Sequence, residues 1–154
     1  MAIRASGQEI RLITPAAVSN KPGNTFVVSA TADNREVLGG FMRAWSKGMY
    51  VAQIDPEVVA KIAQITVPVE WEDPTFGEQY LANAMRLNGS VTDQNGDLQT
   101  EIWSRIQPAM IKFGVICEAV EPSVFLDPSF IAPANDLSAE EVQKEVADLR
   151  AANM

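Results

Sequence analysis

The chain has 154 residues, enough for one domain, and 47% of them are hydrophobic, enough for a core. It contains no histidine and one cysteine, which excludes zinc sites of the Cys/His type, disulfides within the chain and nucleophile pairs that depend on histidine. The formal net charge of -8 disfavours nucleic acid and anionic membranes as partners, because both are bound mainly through lysine and arginine.

Residues 1–34 predict a small N-terminal β element. The segment 25–30 is β-branched and aromatic, and it follows a turn-forming run at residues 20–24, which is the pattern of a strand. A shorter stretch in which Ile10 and Leu12 nearly alternate with other residues predicts a second extended piece. With the helices that follow, the predicted fold class is α+β, mainly α.

Residues 35–121 predict a helical core. Its first helix shows apolar residues at helical spacing from Val37 to Trp45, and we expect Gly48 to end it. Two adjacent glycines interrupt the apolar stripe. Either they allow a close packing contact, or the helix is weaker than its pattern suggests.

Two dipeptides in the core, Asp55-Pro56 and Asp73-Pro74, combine an N-cap acid with a proline at the first helical position. Each therefore predicts the start of a helix. Between them, residues 65–71 predict an extended chain, because a proline interrupts the helical spacing and biases the residue before it away from the helical region.

The last part of the core is the most ambiguous. Helical spacing resumes at Leu98, and we expect Pro108 to kink or end that helix. Residues 110–120 are apolar almost throughout, and periodicity alone does not separate a buried helix from a central strand. The low density of β-branched residues near its end favours a helix. Cys117 lies in this stretch, which predicts a buried, unreactive thiol.

Residues 122–154 predict an extended, proline-spaced arm that ends in an amphipathic helix. A capping box from Ser138 to Glu141 starts that helix. Such arms often clamp a neighbouring subunit, whereas the plainer interpretation is packing onto the same chain, and the pattern leaves docking in cis or in trans open. The candidate interface residues are the apolar members of the arm: Phe125, Leu126, Phe130, Ile131, Val142, Val146 and Leu149.

Two acidic clusters offer candidate chemistry. Residues 93–97 resemble the start of a calcium loop, but the sixth and twelfth positions lack the required glycine and acid, so a polar turn is favoured. Glu70 and Glu72 flank Trp71 and could perform acid/base chemistry on a sugar, whereas Asp73 fits a helix start. We therefore predict no catalytic residue, no metal site and no cofactor.

One layout resembles a known family. Val67-Pro68-Val69-Glu70-Trp71, the helical stretch after it, the polar run 93–97 and the apolar stretch through Val120 are together similar to the tail assembly chaperones of tailed phages. The resemblance covers about a third of the chain and rests on short motifs. It implies a role in tail assembly without catalysis, and no functional residue is carried over from it.

The sequence therefore predicts a non-enzymatic structural or assembly subunit that packs against copies of itself or other protein subunits, as a homo-oligomer or in a bacteriophage particle. One alternative is a small-ligand-binding protein, or an enzyme that works with carboxylates, Tyr50, Tyr80 or Lys112. Another is an adaptor for one protein partner. We expect a cytoplasmic or virion location without membrane association, because no secretory signal is apparent.

Overall fold

The computed structural model describes residues 7–9, 23–29 and 34–152, and the chain is mainly helical there, which confirms the mainly-α part of the predicted fold class. Three 3-10 helices in these ranges span Pro68–Trp71, Pro122–Val124 and Pro128–Phe130. The α-helices of the same ranges are six: α1 (Arg35–Ile54), α2 (Pro56–Thr66), α3 (Pro74–Asn88), α4 (Thr100–Lys112), α5 (Ile131–Asn135) and α6 (Ala139–Ala151).

The predicted N-terminal β element is not seen in the described residues, and this part of the fold prediction is wrong there. Residues 25–29 do not form a strand, while Ile10 and Leu12 lie outside the described ranges. A strand needs a neighbour for its backbone N–H and C=O groups, and no described segment supplies one. Phe26 instead packs on α1, with its ring centroid 5.1 Å from that of Phe41 and 5.4 Å from that of Trp45.

Helix α1 is the central element of the fold. Gly48, its predicted end, lies inside it, and the helix continues to Ile54. Ser46 and Ala52 are buried on either side of this glycine, and burial offsets the cost of about 1 kcal/mol that a glycine brings to a helix interior. The helix ends where the backbone N–H of Asp55 donates to the fourth carbonyl before it, at 2.8 Å.

Both predicted Asp-Pro helix starts are confirmed. Asp55 Oδ1 accepts the backbone N–H of Val58 at 3.1 Å at the start of α2. Asp73 Oδ1 accepts the backbone N–H groups of Thr75 and Phe76 at 2.9 and 3.4 Å at the start of α3. The proline that follows each acid removes a donor that has no partner in the first turn of a helix anyway.

The segment 65–71, predicted to be extended, is helical. Its first two residues complete α2, and its last four form a 3-10 helix. The proline that interrupts the α-helical spacing occupies the first position of the 3-10 helix, where its missing N–H costs nothing. This turn brings Trp71 so close to α3 that a Cβ built on Gly77 would lie 2.5 Å from the indole Cδ2.

Helix α4 contains Pro108, which does not end it. A proline inside a helix removes the hydrogen bond to the carbonyl four residues earlier, here that of Ser104. The helix nevertheless continues for one more turn, to Lys112.

The end of α4 is a Schellman motif centred on Gly114, whose φ angle is 70°. The backbone N–H groups of Gly114 and Val115 donate to the carbonyls of Ile111 and Met110 at 3.0 and 2.8 Å, which is the hydrogen-bond pattern of that motif. Glycine adopts this left-handed conformation without steric cost. The helix predicted across residues 110–120 is therefore wrong beyond the end of α4.

The predicted C-terminal arm is folded rather than extended. Residues 122–135 form two 3-10 helices and α5, and α5 packs against α1. Helix α6 begins as predicted, with Ser138 Oγ accepting the backbone N–H of Glu141 at 3.3 Å, and it contacts both α1 and α2. The described C-terminal segment therefore docks in cis. A domain boundary between residues 121 and 122 stays a prediction.

The core of the described residues is small. Full burial of a valine or isoleucine contributes about 1.5–3 kcal/mol, so only a few kcal/mol come from each helix. Helices α3 and α4 supply none of the buried apolar side chains. Separately, none of the described helices is both long and apolar enough to cross a membrane. The buried apolar residues come from α1, α2, α5 and α6: Ala52, Val58, Ile131, Ala134, Val142 and Val146.

Candidate functional site

The predicted interface residues differ in burial. Ile131, Val142 and Val146 are buried within the described chain, where they anchor α5 and α6. Phe125 is 48% exposed. The role of these side chains in an interface between subunits stays a prediction. The remaining members are half-buried: Leu126, Phe130 and Leu149.

A partly buried polar cluster joins α1, the loop 89–99 and α5. Asn135 Oδ1 accepts the backbone N–H of Asn95 at 2.8 Å and the hydroxyl of Ser46 at 3.1 Å. Its Nδ2 donates to the carbonyls of Asn95 and Ile131 at 3.0 and 2.8 Å. All four hydrogen-bonding positions of this amide are used, so the cluster holds the elements together and offers no free group to a ligand.

Arg35, in the first turn of α1, holds the 3-10 helix that precedes α5. Its Nη1 donates to Asp127 Oδ2 at 3.0 Å, its Nη2 donates to the hydroxyl of Ser129, and its guanidinium carbon lies 4.4 Å from the ring centre of Phe130. Hydrogen bonds from the side chain and backbone of Ser129, and then from Arg35, lower the pKa of Asp127 to about 2. These groups are half exposed, so the ion pair itself contributes little to stability.

Arg150 attaches α6 to the junction of α1 and α2. Its Nε and Nη2 donate to the two carboxylate oxygens of Asp55 at 2.6 and 2.7 Å, and Nη2 also donates to Glu57 at 3.0 Å. The hydrogen bond from Arg150 holds the pKa of Asp55 below its ordinary value, and the same contacts raise the pKa of Arg150. Lys47 and Glu145 form a second ion pair between α1 and α6. Asp55 thus caps α2 and also binds α6.

The three acidic residues around Trp71 lie at or near the start of α3. Asp73 is the N-cap of α3, Glu72 is exposed, and Glu70 is half-buried in the 3-10 helix. Across residues 7–9, 23–29 and 34–152, no group of three or more acidic or cysteine side chains is placed to hold a metal ion. Cys117 is exposed, so its predicted burial is wrong, because the helix expected to bury it has already ended.

The side chains of the alternative enzymatic hypothesis lie on different helices. Tyr50 belongs to α1, Tyr80 to α3 and Lys112 to α4. Tyr80 stacks on Phe76 with ring centroids 6.1 Å apart, and the Lys112 ammonium lies 5.9 Å from the ring centre of Phe113. Among the contacts of the described residues, none joins two of the three.

The surface with the best-defined geometry belongs to a hairpin made of α4 and the chain that returns along it. Gln107 Nε2 donates to the carbonyl of Val120 at 2.7 Å, and the backbone N–H of Val120 donates to Gln107 Oε1 at 2.6 Å. Further along, the ring of Phe125 meets that of Trp103 edge-on, with centroids 5.7 Å apart. Because Gln107 and Trp103 lie on successive turns of α4, these contacts fix the returning chain antiparallel to the helix.

This hairpin exposes a set of apolar side chains that we call the hairpin surface. Phe113 is 77% exposed, Val124 74% and Val115 66%. Removing such surface from water is favourable by about 25 cal/mol per Å², and apolar patches of a few hundred Å² or more mark interaction sites. The complete hairpin surface is Ile111, Phe113, Val115, Val120, Val124 and Phe125.

Sequence reasoning identified only one member of this surface, Phe125. The missed signal is Gly114, which follows directly after Lys112 and Phe113 at the end of the apolar stripe. A basic residue in the last helical turn and a glycine just beyond it are typical of a helix C-terminus. An interpretation of residues 110–120 as one buried element places Phe113 and Val115 inside the protein. In the structure both are exposed, on either side of the turn at Gly114.

Comparison with known proteins gives no further assignment. No family model matches the sequence, and searches among curated proteins and solved structures find no significant match. Among the described residues, the hairpin surface is the candidate functional site with the best-defined geometry.

Proposed function

We propose that the protein is a non-enzymatic structural or assembly subunit that packs against copies of itself or other protein subunits. The observation that carries this proposal is the hairpin surface. Phe113, Val115 and Val124 stay mostly in water, although the Schellman motif and the bonds of Gln107 hold the backbone beneath them in one conformation. An ordered apolar surface is unfavourable in an isolated monomer and favourable once another chain covers it.

The balance between buried and exposed side chains supports the same proposal. Within the described residues, six apolar side chains are buried, whereas eighteen large apolar side chains are exposed. Some of the exposed ones lie away from the hairpin, at the start of α1 and in the loop 89–99, where Val37 is 69% and Val91 82% exposed. A subunit that contacts more than one neighbour presents more than one such surface.

The setting that we propose is the cytoplasm or a virion, and the sequence resemblance favours a bacteriophage particle. The polar run at residues 93–97 forms the expected turn at Asn95-Gly96. The helical stretch before it is α3, whereas the other two features differ in structure, because residues 68–71 form a 3-10 helix and the apolar helix ends before Val120. The phage setting is therefore supported by the residues themselves and by only part of their conformation.

The proposal is tested by size-exclusion chromatography with light scattering on the full chain over a series of concentrations. We expect a mass above the 16.8 kDa of one chain that increases with concentration and then levels off at a closed oligomer, or grows further into a particle. Circular dichroism of the same fractions shows whether the helices are retained. A folded protein with the mass of a single chain at every concentration would contradict self-assembly.

A further inference from the structure

We infer that the hairpin surface is the contact between two copies of this chain, related by a two-fold axis. The inference rests on the proposed assembly function and adds the surface and the partner to it. In a two-fold contact the same patch serves both subunits, so each residue that meets a partner residue is met in return by its own counterpart.

The area of the hairpin surface fits such a contact. Its six members are between 39% and 77% exposed and together present roughly 700 Å², close to the 800 Å² or so that each partner gives to a standard interface. A two-fold pair would therefore bury about 1,400 Å² in total, within the range of stable complexes. Exposed residues at the tip, among them Cys117 and Ala119, would add to that area.

The charges around the hairpin surface are those that a second copy complements. Lys112 lies just before the Gly114 turn and Glu118 four residues after it, and both are exposed. In the described part of the chain, neither has an ion-pair partner within its own subunit. Two hairpins that cross about a two-fold axis place Lys112 of each copy beside Glu118 of the other, twice per dimer. A partner of one charge sign would satisfy only one member of this pair.

Sedimentation equilibrium of the full chain tests this arrangement through two sets of variants. Val115→Asp places a charge in the hairpin surface, and Val69→Asp is its matched control, since it makes the same change at a comparably exposed valine elsewhere. Lys112→Glu and Glu118→Lys each create two like-charge contacts per dimer. We expect Val115→Asp and each charge variant to lower the association constant about tenfold or more, whereas Val69→Asp leaves it within about twofold.

The double variant Lys112→Glu with Glu118→Lys is the most specific part of the test. It restores opposite charges across the two-fold axis, so we expect its association constant to return to within about threefold of the original. Additive losses in the double variant would overturn the pairing, since a contact with another kind of partner would not recover.

Cys117 provides an independent measure of proximity, because it is the chain's only cysteine and lies at the tip. With copper phenanthroline as the oxidant, we expect a disulfide-linked dimer to form faster in the original chain and in Val69→Asp than in Lys112→Glu. If the disulfide-linked dimer formed at the same rate in all three proteins, it would reflect random collision, and the inference would be overturned.

The outcomes separate this inference from the proposed function. If the original chain associates and Val115→Asp associates equally well, the hairpin pairing is wrong and the assembly function stands on another surface. If the original chain is a folded monomer throughout, both the pairing and the proposed self-assembly fail.

Discussion

At the scale of single residues, Asn135 joins three parts of the described chain. Its amide contacts α1, the loop 89–99 and its own helix through four hydrogen bonds, and Ser46 beneath it is fully buried. No apolar pattern in the sequence predicts this cluster, because asparagine near a helix end is usually a capping residue in solvent. Ser46, Asn95 and Asn135 are also distant along the chain, so only the folded structure brings them together.

Replacing Asn135 with alanine should be strongly destabilising. The hydroxyl of Ser46 and the backbone N–H of Asn95 lose their shared acceptor, and leaving buried polar groups unpaired costs about 2–4 kcal/mol in total. Urea unfolding followed by circular dichroism measures this difference. The control is Gln143→Ala, at an exposed position of α6, which should change the free energy of unfolding by less than about 0.5 kcal/mol. Similar values for the two variants would contradict the structural role of Asn135.

Two glycine-to-alanine substitutions should have opposite effects on stability. A Cβ on Gly77 would overlap the Trp71 indole at 2.5 Å and approach the backbone carbonyl of Glu70 at 3.1 Å, so we expect a loss of about 1–3 kcal/mol. A Cβ on Gly40, inside α1, meets no described atom within 4 Å, so alanine should gain up to about 1 kcal/mol from helix propensity. Thermal unfolding measures both. Changes of the same sign would be inconsistent with this packing.

The open space at Gly40 also answers a question that the sequence left open. The adjacent glycines of α1 do not serve a close packing contact in the described structure, since a Cβ built on Gly39 also meets no described atom within 4 Å. They therefore weaken the helix, and the packing of α5 and α6 against α1 compensates for that weakness.

Asp127 should make stability depend on pH in the acid range. Its pKa is about 2 in the folded protein and lies below the value of 3.8 expected for an unpaired carboxyl. The unfolded chain therefore binds the proton more readily, so the stabilisation is complete above about pH 4 and is lost as the pH falls towards 2. Asp127→Asn should flatten this part of the profile of unfolding free energy against pH. An unchanged slope in Asp127→Asn, or an equal flattening in the exposed control Asp136→Asn, would contradict this assignment.

At the scale of elements, α6 is held to the rest of the chain by two buried valines and by ion pairs at its outer face. Arg150→Ala removes the bidentate contact with Asp55, whose carboxylate also caps α2. We expect faster amide hydrogen exchange across α6 and in the first turn of α2, and little change in α3. Lys144→Ala, an exposed position on the same helix, is the control. Equal exchange in the two variants would show that Arg150 does not anchor α6.

The helix starts were predictable because their signals are local. An aspartate followed by proline satisfies two requirements of a first turn within two residues, and Ser138 with Glu141 does the same for α6. The errors arose where tertiary contacts override the local pattern. Gly48 lies within α1 because residues on both sides are buried, and the strand predicted at residues 25–29 finds no partner strand in the described chain.

The candidate site was less predictable than the fold for a physical reason. Hydrophobicity in a sequence does not distinguish an apolar side chain that the chain buries itself from one that another chain buries. Val142 and Val146 belong to the first kind, and Phe113 and Val115 to the second under our proposal. The local signal for the second kind is Gly114, because α4 ends just before it and the residues beside it are exposed.

At the scale of the whole molecule, the described chain combines a small core around α1 with an apolar hairpin that points into water. Polar contacts of Asn135 and Arg150 dock α5 and α6 in cis, whereas the hairpin surface stays exposed. Under our proposal the protein acts by contact with other subunits, so its stability should increase as its concentration increases.

Amide hydrogen exchange of the original chain, compared between dilute and concentrated solutions, tests this central claim most directly. We predict that protection from exchange increases with concentration in residues 111–125. The amides of α1 and α5 should exchange at the same rate in the dilute and the concentrated solution. Exchange that is identical throughout the chain at all concentrations, with a mass that stays at that of one chain, would contradict the claim.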